Sequence, residues 1–264
     1  MLPYPKINPN IIEIGPIKLR WYGLMYVLGF VSCYFLIGKQ RRARNLGLVG
    51  AQLQDLIFYL AVGLIVGARL GYVLFYQFSN YTHYLKHPLE IIAIWHGGMS
   101  FHGGLIGAVL AGILFCRRRK LPVWEVADPV SVTAPIALGL GRLGNFINGE
   151  LFGRPSSVPW AMVFPLAGPE PRHPSQLYEA TLEGLLLFLI LWTLKDRPFR
   201  PGTMVCLFLG GYGVMRFLVE FFRQPDLHIG LFWGLFSMGQ ILCLIMIIAA
   251  VILWKFLPQE PTTG

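Results

Sequence analysis

The sequence predicts an all-α integral membrane protein with seven transmembrane helices. Its composition is the first reason: of 264 residues, 55% are hydrophobic and only 13% are charged. The mean hydropathy of +0.58 lies above the range of soluble globular domains. The second reason is that nearly uncharged runs recur along the chain, each about as long as the ~20 helical residues that cross ~30 Å of hydrocarbon.

The uncharged runs define the predicted helices within a single membrane domain, residues 1–264. Open sheets cannot span lipid, and the runs lack the alternation of barrel strands, so helices are expected. No soluble domain and no strong internal repeat is evident between them. The predicted spans are roughly 21–38, 55–76, 99–116, 126–146, 177–194, 203–222 and 237–254.

Basic residues between the runs predict how the helices cross the membrane. Lys and Arg cluster after the first, third and fifth runs, and with Lys255 they number twelve on one side against seven on the other. By the positive-inside rule the richer side is cytoplasmic, which places the N-terminus outside and the C-terminus inside. Most of the net charge of +9 is therefore explained by basic residues that orient the helices in the membrane. For this reason no nucleic-acid partner is expected.

Two long connections, 77–98 and 147–176, are predicted to lie outside and to form short helical segments over the helix ends. All six histidines fall in or beside outside segments, at positions 83, 87, 96, 102, 173 and 228. This asymmetry predicts chemistry on the outer side. The histidines His83 and His87 are spaced for a metal, but they run into Pro88 and lack acidic companions, so neither a metal nor another cofactor is predicted.

Three arginines lie within predicted spans: Arg69 in the second, Arg142 in the fourth and Arg216 in the sixth. Each costs at least ~2.5 kcal/mol at the bilayer centre and therefore needs a partner or a function. Four to seven residues separate each arginine from the outer end of its span, which predicts one common level in the outer leaflet. A single Arg–Glu pair could serve packing alone, but three guanidiniums at one depth favour a phosphate site.

Helical spacing places further polar residues beside these arginines. One face carries Tyr212, Arg216 and Glu220 in the sixth span, with Arg223 just beyond its end, and the other carries Arg69, Tyr72 and Tyr76 in the second. In the fourth, the segment GRLGNFINGELFG at 141–153 adds Asn145, Asn148 and Glu150, which can satisfy freed backbone groups and bind a polar ligand. A glycine-rich packing seam explains the glycines of this segment but not Arg142.

His102 lies between two glycine pairs at the outer start of the third span. An interfacial histidine is more often a structural hydrogen-bonding residue than a catalyst. At the predicted depth of three arginines, His102 becomes a candidate general base.

Six motifs, in order along nearly the whole chain, resemble those of the prolipoprotein diacylglyceryl transferases. They are WYGLMY (21–26), GARLGYVLFY (67–76), GGMSFHGG (97–104), GRLGNFINGELFG (141–153), PRHPSQLYE (171–179) and GYGVMRFLVEFFRQPD (211–226). The resemblance implies a multi-pass transferase of the bacterial cytoplasmic (inner) membrane whose active site faces the outer leaflet. Such enzymes move the diacylglyceryl group of phosphatidylglycerol, a membrane lipid, to the lipobox cysteine of a prolipoprotein signal peptide. A thioether forms and glycerol phosphate leaves, in the first step of lipoprotein maturation.

The resemblance also assigns roles to residues of this chain. The signature arginine of the family falls on Arg142, the essential arginine of the sixth helix on Arg216 and the proposed base on His102, so these three are the expected catalytic residues. Asn145, Glu150 and Glu220 are expected to orient the guanidiniums and the glycerol. The full set expected to bind substrate is Tyr22, Arg69, Tyr72, Tyr76, Asn145, Asn148, Glu150, Gly153, Tyr212, Glu220 and Arg223.

The rival class is a binding or transport protein whose arginines form a site for an anionic solute at the membrane midplane. The predicted depth favours the transferase, because the polar groups lie toward the outside with apolar sequence beneath them. Both substrates reside in the bilayer, so lateral access between helices is expected. Glycines at 139, 141, 144, 210, 211 and 213 are predicted to thin the fourth and sixth helices and leave room for acyl chains.

Overall fold

The computed structural model describes residues 2–5, 7–14, 17–77, 81–224, 231–232 and 236–258. Within these ranges seven helical spans are long and apolar enough to cross a membrane: Trp21–Lys39, Gly50–Tyr76, Phe101–Arg119, Val123–Asn148, Ser175–Leu194, Thr203–Glu220 and Met238–Lys255. The predicted all-α class with seven transmembrane helices is confirmed, with bounds that differ by a few residues. His228 and the last two residues of the predicted 211–226 motif lie outside the described ranges.

The secondary structure is mainly helical, with two short antiparallel hairpins. The helices are α1 Trp21–Lys39, α2 Arg41–Asn45, α3 Gly50–Gly71, α4 Tyr81–Lys86, α5 Phe101–Arg119, α6 Val123–Asn148, α7 Ser175–Glu179, α8 Leu187–Leu194, α9 Thr203–Glu220 and α10 Met238–Lys255. Short π-helices at Tyr72–Tyr76 and Ala180–Leu186 continue α3 and α7, and 3₁₀ turns form at Pro88–Ile91 and Ile94–His96. The strands are β1 Asn10–Ile14 with β2 Ile17–Arg20, and β3 Leu231–Phe232 with β4 Phe236–Ser237.

The C-terminal end of α5 shows why sequence placed some helix ends too early. The predicted span stopped at the first basic residue, whereas the helix continues through Arg119. Basic side chains suit the last turn because the partial negative charge of the helix carbonyls lies there. The helix ends at Lys120, whose φ of 54° is left-handed.

Contacts divide the chain into two compact units, Ala43–Val126 and Met1–Arg42 with Ala127–Gly264. In the smaller unit, α3 and α5 meet along a seam of glycines. A Cβ added to Gly67 would lie 2.7 Å from the Cα of Gly107, and one added to Gly71 would lie 2.7 Å from the Cα of Gly103. Such close backbone approach replaces the hydrophobic driving force that helix association lacks in lipid.

Glycines have the same packing role in the larger unit. A Cβ added to Gly139 would lie 3.0 Å from the Cα of Gly184. One added to Gly144 would lie 2.9 Å from the ring of Tyr22, and one added to Gly213 would lie 2.8 Å from the side chain of Ile247. The prediction that these glycines leave room for acyl chains is therefore wrong at these positions, because each is filled by a neighbouring helix. Of the six glycines named, Gly141 alone has nothing within 4 Å of an added Cβ.

A buried carboxylate ties the N-terminal end of α9 to α6 in the larger unit. Asp128, on α6, is 1% exposed and forms an ion pair with Arg42. Its oxygens accept hydrogen bonds from three backbone N–H groups at the start of α9, those of Gly202 (3.0 Å), Met204 (3.0 Å) and Val205 (3.3 Å). A carboxylate suits this position because the first N–H groups of a helix lack intrahelical partners and carry partial positive charge.

Candidate active site

An arginine–glutamate cluster lies among α6, α9 and the fifth span of the larger unit. It comprises Arg142, Arg216, Arg223, Glu179, Glu183 and Glu220. Three positive side chains thus face three negative ones. The balance matters because an unpaired charge inside a membrane protein is costly.

Glu179 is the centre of this cluster and is fully buried. Its Oε2 lies 2.5 Å from Nε of Arg142, and its Oε1 lies 3.0 Å from Nη1 of Arg216 and 3.9 Å from Nη1 of Arg223. Neither oxygen has a partner with hydrogen-bond geometry among the described residues. The carboxylate is therefore held by charge, and it joins Arg142 of α6 to two arginines in and just after α9.

The local structure of the fifth span explains how two glutamates reach one arginine. Glu179 ends α7, and Glu183 follows within the π-helix Ala180–Leu186. The wider turn of a π-helix keeps residues four to five apart on one face, and such segments are frequent at functional sites. Glu183 Oε1 accordingly lies 3.6 Å from the same Nη1 of Arg216.

The two predicted catalytic arginines differ in how their nitrogens are engaged. Both terminal nitrogens of Arg216 face carboxylates, with Nη2 at 2.7 Å from Oε2 of Glu220. Arg142 contacts Glu179 through Nε alone among the described residues, and its side chain is 18% exposed. The terminal fork of Arg142 therefore remains open to an anionic ligand.

Tyr212 and Tyr22 complete the surroundings of these arginines. Tyr212 lies close enough to Arg142, Arg216 and Glu183 to interact electrostatically with all three. Tyr22 lies close enough to Arg142 and Glu150 to interact electrostatically with both. Its hydroxyl lies 3.2 Å from that of Tyr26. The structure thus brings the tyrosines of the first and sixth spans toward the same arginine.

The C-terminal end of α6 carries a small amide–carboxylate group. Nδ2 of Asn145 and Nδ2 of Asn148 donate to Oε1 of Glu150, at 2.8 and 3.1 Å. Asn145 and Glu150 were expected to orient the guanidiniums, whereas their side-chain hydrogen bonds among the described residues stay within this group. The side-chain oxygen of Asn148 is buried and lacks a hydrogen-bond donor among the described residues.

The segment after α6 turns back toward α9. The backbone N–H of Gly153 donates to the carbonyl of His173 at 2.8 Å, and that of Arg154 donates to Phe222 at 2.9 Å. A Cβ at Gly153 would lie 2.8 Å from the carbonyl oxygen of His173, so only glycine fits. Because Gly153 has no side chain, this segment can approach the backbone of His173 and Phe222 closely.

Two ionisable side chains near this turn, Arg223 after α9 and His173 in the 149–174 connection, have lowered pKa values. Burial, together with the neighbouring charge of Arg216, lowers the pKa of Arg223. Partial burial lowers the pKa of His173, and its Nδ1 lies 3.0 Å from the hydroxyl of Tyr178. The same hydroxyl accepts a 2.6 Å hydrogen bond from Nε1 of Trp160.

The guanidinium of Arg69, in the smaller unit, donates hydrogen bonds to backbone carbonyls. Arg69 is 5% exposed and donates to carbonyls of Ile91 (3.1 Å), Gly97 (2.5 Å) and Gly98 (3.1 Å), and also to that of Glu90. Its guanidinium thus holds the 90–98 connection in place. This explains a buried arginine in the second span without a phosphate ligand.

The remaining predicted residues of the smaller unit lie near the start of α5. Tyr72 lies beneath Arg69, with 5.7 Å between the guanidinium carbon and the ring centre, and its ring stacks on the more exposed Tyr76. His102 lies in the first turn of α5 and is exposed. The described residues contain no group of three or more His, Cys, Asp or Glu that could hold a metal ion.

Comparisons with known proteins agree with the motifs of this site. The family model for prolipoprotein diacylglyceryl transferase matches residues 9–256. The chain belongs to this family. Proteins named phosphatidylglycerol–prolipoprotein diacylglyceryl transferase are similar over nearly their full length. That of Geobacter sulfurreducens is 52% identical over 91% of this chain and 92% of its own. That of Rhodospirillum rubrum is 52% identical over 96% and 93%, and that of Bordetella bronchiseptica 49% over 99% and 100%.

Sequence reasoning missed Glu179 and Glu183 in this transferase-family chain. Both carboxylates lie in a span that otherwise reads as apolar, and Glu179 closes the recognised motif PRHPSQLYE. An acidic residue within a membrane span, like an arginine there, needs a partner for its charge. Matching the three arginines to acidic residues of other spans would have pointed to both glutamates.

Proposed function

We propose that this chain transfers the diacylglyceryl group of phosphatidylglycerol to the lipobox cysteine of prolipoproteins, in the bacterial cytoplasmic membrane. Membership of the family and the names of relatives that align end to end support this activity. The observation that carries the site assignment is the arginine–glutamate cluster, in which Glu179 holds Nε of Arg142 while the terminal nitrogens stay open.

The reaction substitutes sulfur for oxygen at one carbon. The cysteine sulfur forms a bond to the glycerol carbon that carries the phosphate ester, and the carbon–oxygen bond breaks. The electron pair stays on the phosphate oxygen, so glycerol phosphate leaves, and the thiol proton passes to a base. Catalysis therefore requires a thiolate nucleophile and stabilisation of charge on the departing phosphate.

Arg142 and Arg216 are proposed to supply that stabilisation. The open fork of Arg142 can bind two phosphate oxygens, which a point charge such as Lys cannot match in geometry. Arg216 acts mainly through its field, because three glutamates surround its terminal nitrogens. Fixed charges in a water-poor site need no reorganisation as the leaving group forms.

His102 is the proposed acceptor of the thiol proton, and Asn145, Asn148, Glu150 and Tyr22 are proposed to contact the headgroup. Exposure of His102 at the start of α5 leaves its ring free to meet a second substrate. A His102→Gln protein should lose most activity, because a glutamine side chain cannot accept the thiol proton. Retention of most activity would transfer this role to a tyrosine or to water.

The arginine assignment is tested by alanine substitutions in purified protein. We expect Arg142→Ala and Arg216→Ala to lower transfer at least about 100-fold, the effect of removing one charge-stabilising donor. Transfer is measured as the mass gained by a lipobox peptide incubated with phosphatidylglycerol. Arg197→Ala, an exposed arginine of the 195–200 connection, is the matched control and should retain full activity. Near-normal transfer by Arg142→Ala would contradict the phosphate assignment.

A further inference from the structure

The first described residues of the chain form an N-terminal strap, residues 2–5, against the connection that follows α6. The backbone N–H of Leu2 donates to the carbonyl of Ala161 at 3.1 Å, and Leu2 pairs with Met162 in a parallel bridge. The ring of Tyr4 lies 5.4 Å from that of Phe146 and 5.1 Å from that of Phe164. The strap is thus packed in place by aromatic rings of α6 and of the outer connection.

The hydroxyl of Tyr4 caps the carbonyl end of α6. It lies 2.6 Å from the carbonyl oxygen of Phe146 and 3.1 Å from that of Ile147. The last four carbonyls of a helix lack intrahelical donors. The carbonyl of Phe146 also accepts from the N–H of Gly149 at 3.0 Å, so the hydroxyl of Tyr4 adds a second donor there and supplies one to Ile147. Burial raises the pKa of Tyr4, so the group remains a neutral donor.

The capped end is the part of α6 that carries the predicted headgroup residues. Asn145 and Asn148 lie on either side of the capped carbonyls, and their side chains hold Glu150. The turn that brings Glu150 back has left-handed φ angles at Gly149 (68°) and at Leu151 (57°). A non-glycine residue with such a φ persists only where its surroundings hold it.

Two sets of contacts hold this turn from opposite ends. On one side Tyr4 binds the helix carbonyls. On the other, the fully buried Gln176 and Ser175 of α7 donate to the carbonyls of Glu150 (2.6 Å) and Leu151 (3.1 Å). Without the hydroxyl of Tyr4, Ile147 would lose this donor, and the end of α6 would rely on the N–H groups of Gly149 and Glu150, which donate to Phe146 (3.0 Å) and Asn145 (3.1 Å).

We propose that Tyr4 is a positioning residue for diacylglyceryl transfer. Through the carbonyls of Phe146 and Ile147 it fixes the last turn of α6, and with it the amides of Asn145 and Asn148 and the carboxylate of Glu150. This inference rests on the proposed transferase function and adds to it a residue far from the arginine–glutamate cluster in sequence. A misplacement of about 1 Å in such groups is enough to cost a large part of the rate.

The variant Tyr4→Phe tests the hydroxyl alone, because it keeps the ring between Phe146 and Phe164. We expect kcat for transfer from phosphatidylglycerol to a lipobox peptide to fall about tenfold, the effect of one lost hydrogen bond. KM should change less than twofold, and the melting temperature should stay within a few degrees of wild type. Tyr34→Phe, which removes a hydroxyl from α1, is the matched control and should keep wild-type kinetics.

Each other outcome of this experiment has a definite meaning. Wild-type kcat and KM in Tyr4→Phe would overturn the inference. So would a loss of rate that disappears when assays are run well below the melting temperature of each variant, since Tyr4 would then serve stability alone. If wild-type protein and Tyr34→Phe both fail to modify the peptide, the proposed function itself fails.

Discussion

Arg142 and Arg216 belong to one ion-pair cluster but have different freedom to bind a ligand. Arg216 is surrounded by Glu179, Glu183 and Glu220, whereas Arg142, within the part of the chain that the structure describes, contacts Glu179 alone, through Nε. Glu179 therefore does more than neutralise charge: it sets the direction in which the Arg142 fork points. The same carboxylate reaches Arg216, so one buried residue links the orientation of both guanidiniums.

The first prediction concerns Glu179. In Glu179→Gln the amide keeps the size of the side chain but leaves buried arginine charge uncompensated, so transfer should fall about 100-fold, as expected for breaking a buried ion pair. Peptide modification by purified protein measures the effect, and circular dichroism verifies the fold. Glu170→Gln is the control, because that side chain is 63% exposed and lies 3.7 Å from Arg172. Full activity in Glu179→Gln would show that the arginines need no shared counter-ion.

Sequence predicted the residue-scale features that lie within one helix. The pair Arg216–Glu220 follows from i, i+4 spacing and is present at 2.7 Å. The contact of Arg142 with Glu179 joins two spans, and spacing along either helix carries no signal for it. For Arg69 sequence suggested an anion ligand, whereas the structure shows backbone carbonyls of its own connection, because irregular backbone has no periodic pattern to read.

The helices were predicted well as elements, since length and apolar content alone decide what can cross a membrane. Their irregularities were not predicted. The π-helix Ala180–Leu186 and the packed glycines of α6 depend on which neighbour each helix meets. The contacts of Asp128 were not predicted either, because this α6 residue caps a different helix, α9.

The second prediction concerns that cap. In Asp128→Asn the amide can accept some of the α9 N–H groups but cannot pair with Arg42, so the free energy of unfolding should fall by about 2–3 kcal/mol. A thermal melt in detergent, read by fluorescence, measures the loss, and activity per folded molecule should change less than about twofold. Asp55→Asn removes the exposed partner of Arg119 and should leave the melt unchanged. An unaltered melt for Asp128→Asn would contradict the cap.

At the scale of the whole molecule, the orientation in the membrane follows from charge. The twelve basic residues on one side of the spans predict that side to be cytoplasmic. The connections 149–174 and 195–202 should then lie on opposite sides, the first outside with the residues that follow α6. Orientation decides whether the site can meet prolipoproteins after export.

The third prediction is a labelling pattern that reports this orientation. Ser157→Cys should react with a membrane-impermeant maleimide in intact spheroplasts, whereas Arg197→Cys should react only after permeabilisation. Both positions are exposed. Cys116, Cys206 and Cys243 are buried and the half-buried Cys33 lies within α1, so background labelling should be low. Protection of Ser157→Cys together with labelling of Arg197→Cys would invert the topology.

The most direct test of the account uses phosphatidylglycerol carrying one label in its acyl chains and another in its glycerol headgroup. Purified protein is incubated with this lipid and a lipobox peptide, and each label is followed into the peptide and into the aqueous phase. We expect the acyl label on the peptide cysteine and an equal amount of headgroup label released as glycerol phosphate, with both lost in Arg142→Ala and in a Cys→Ser peptide. Lipid bound without transfer to the peptide, or both labels appearing together on the peptide, would contradict diacylglyceryl transfer.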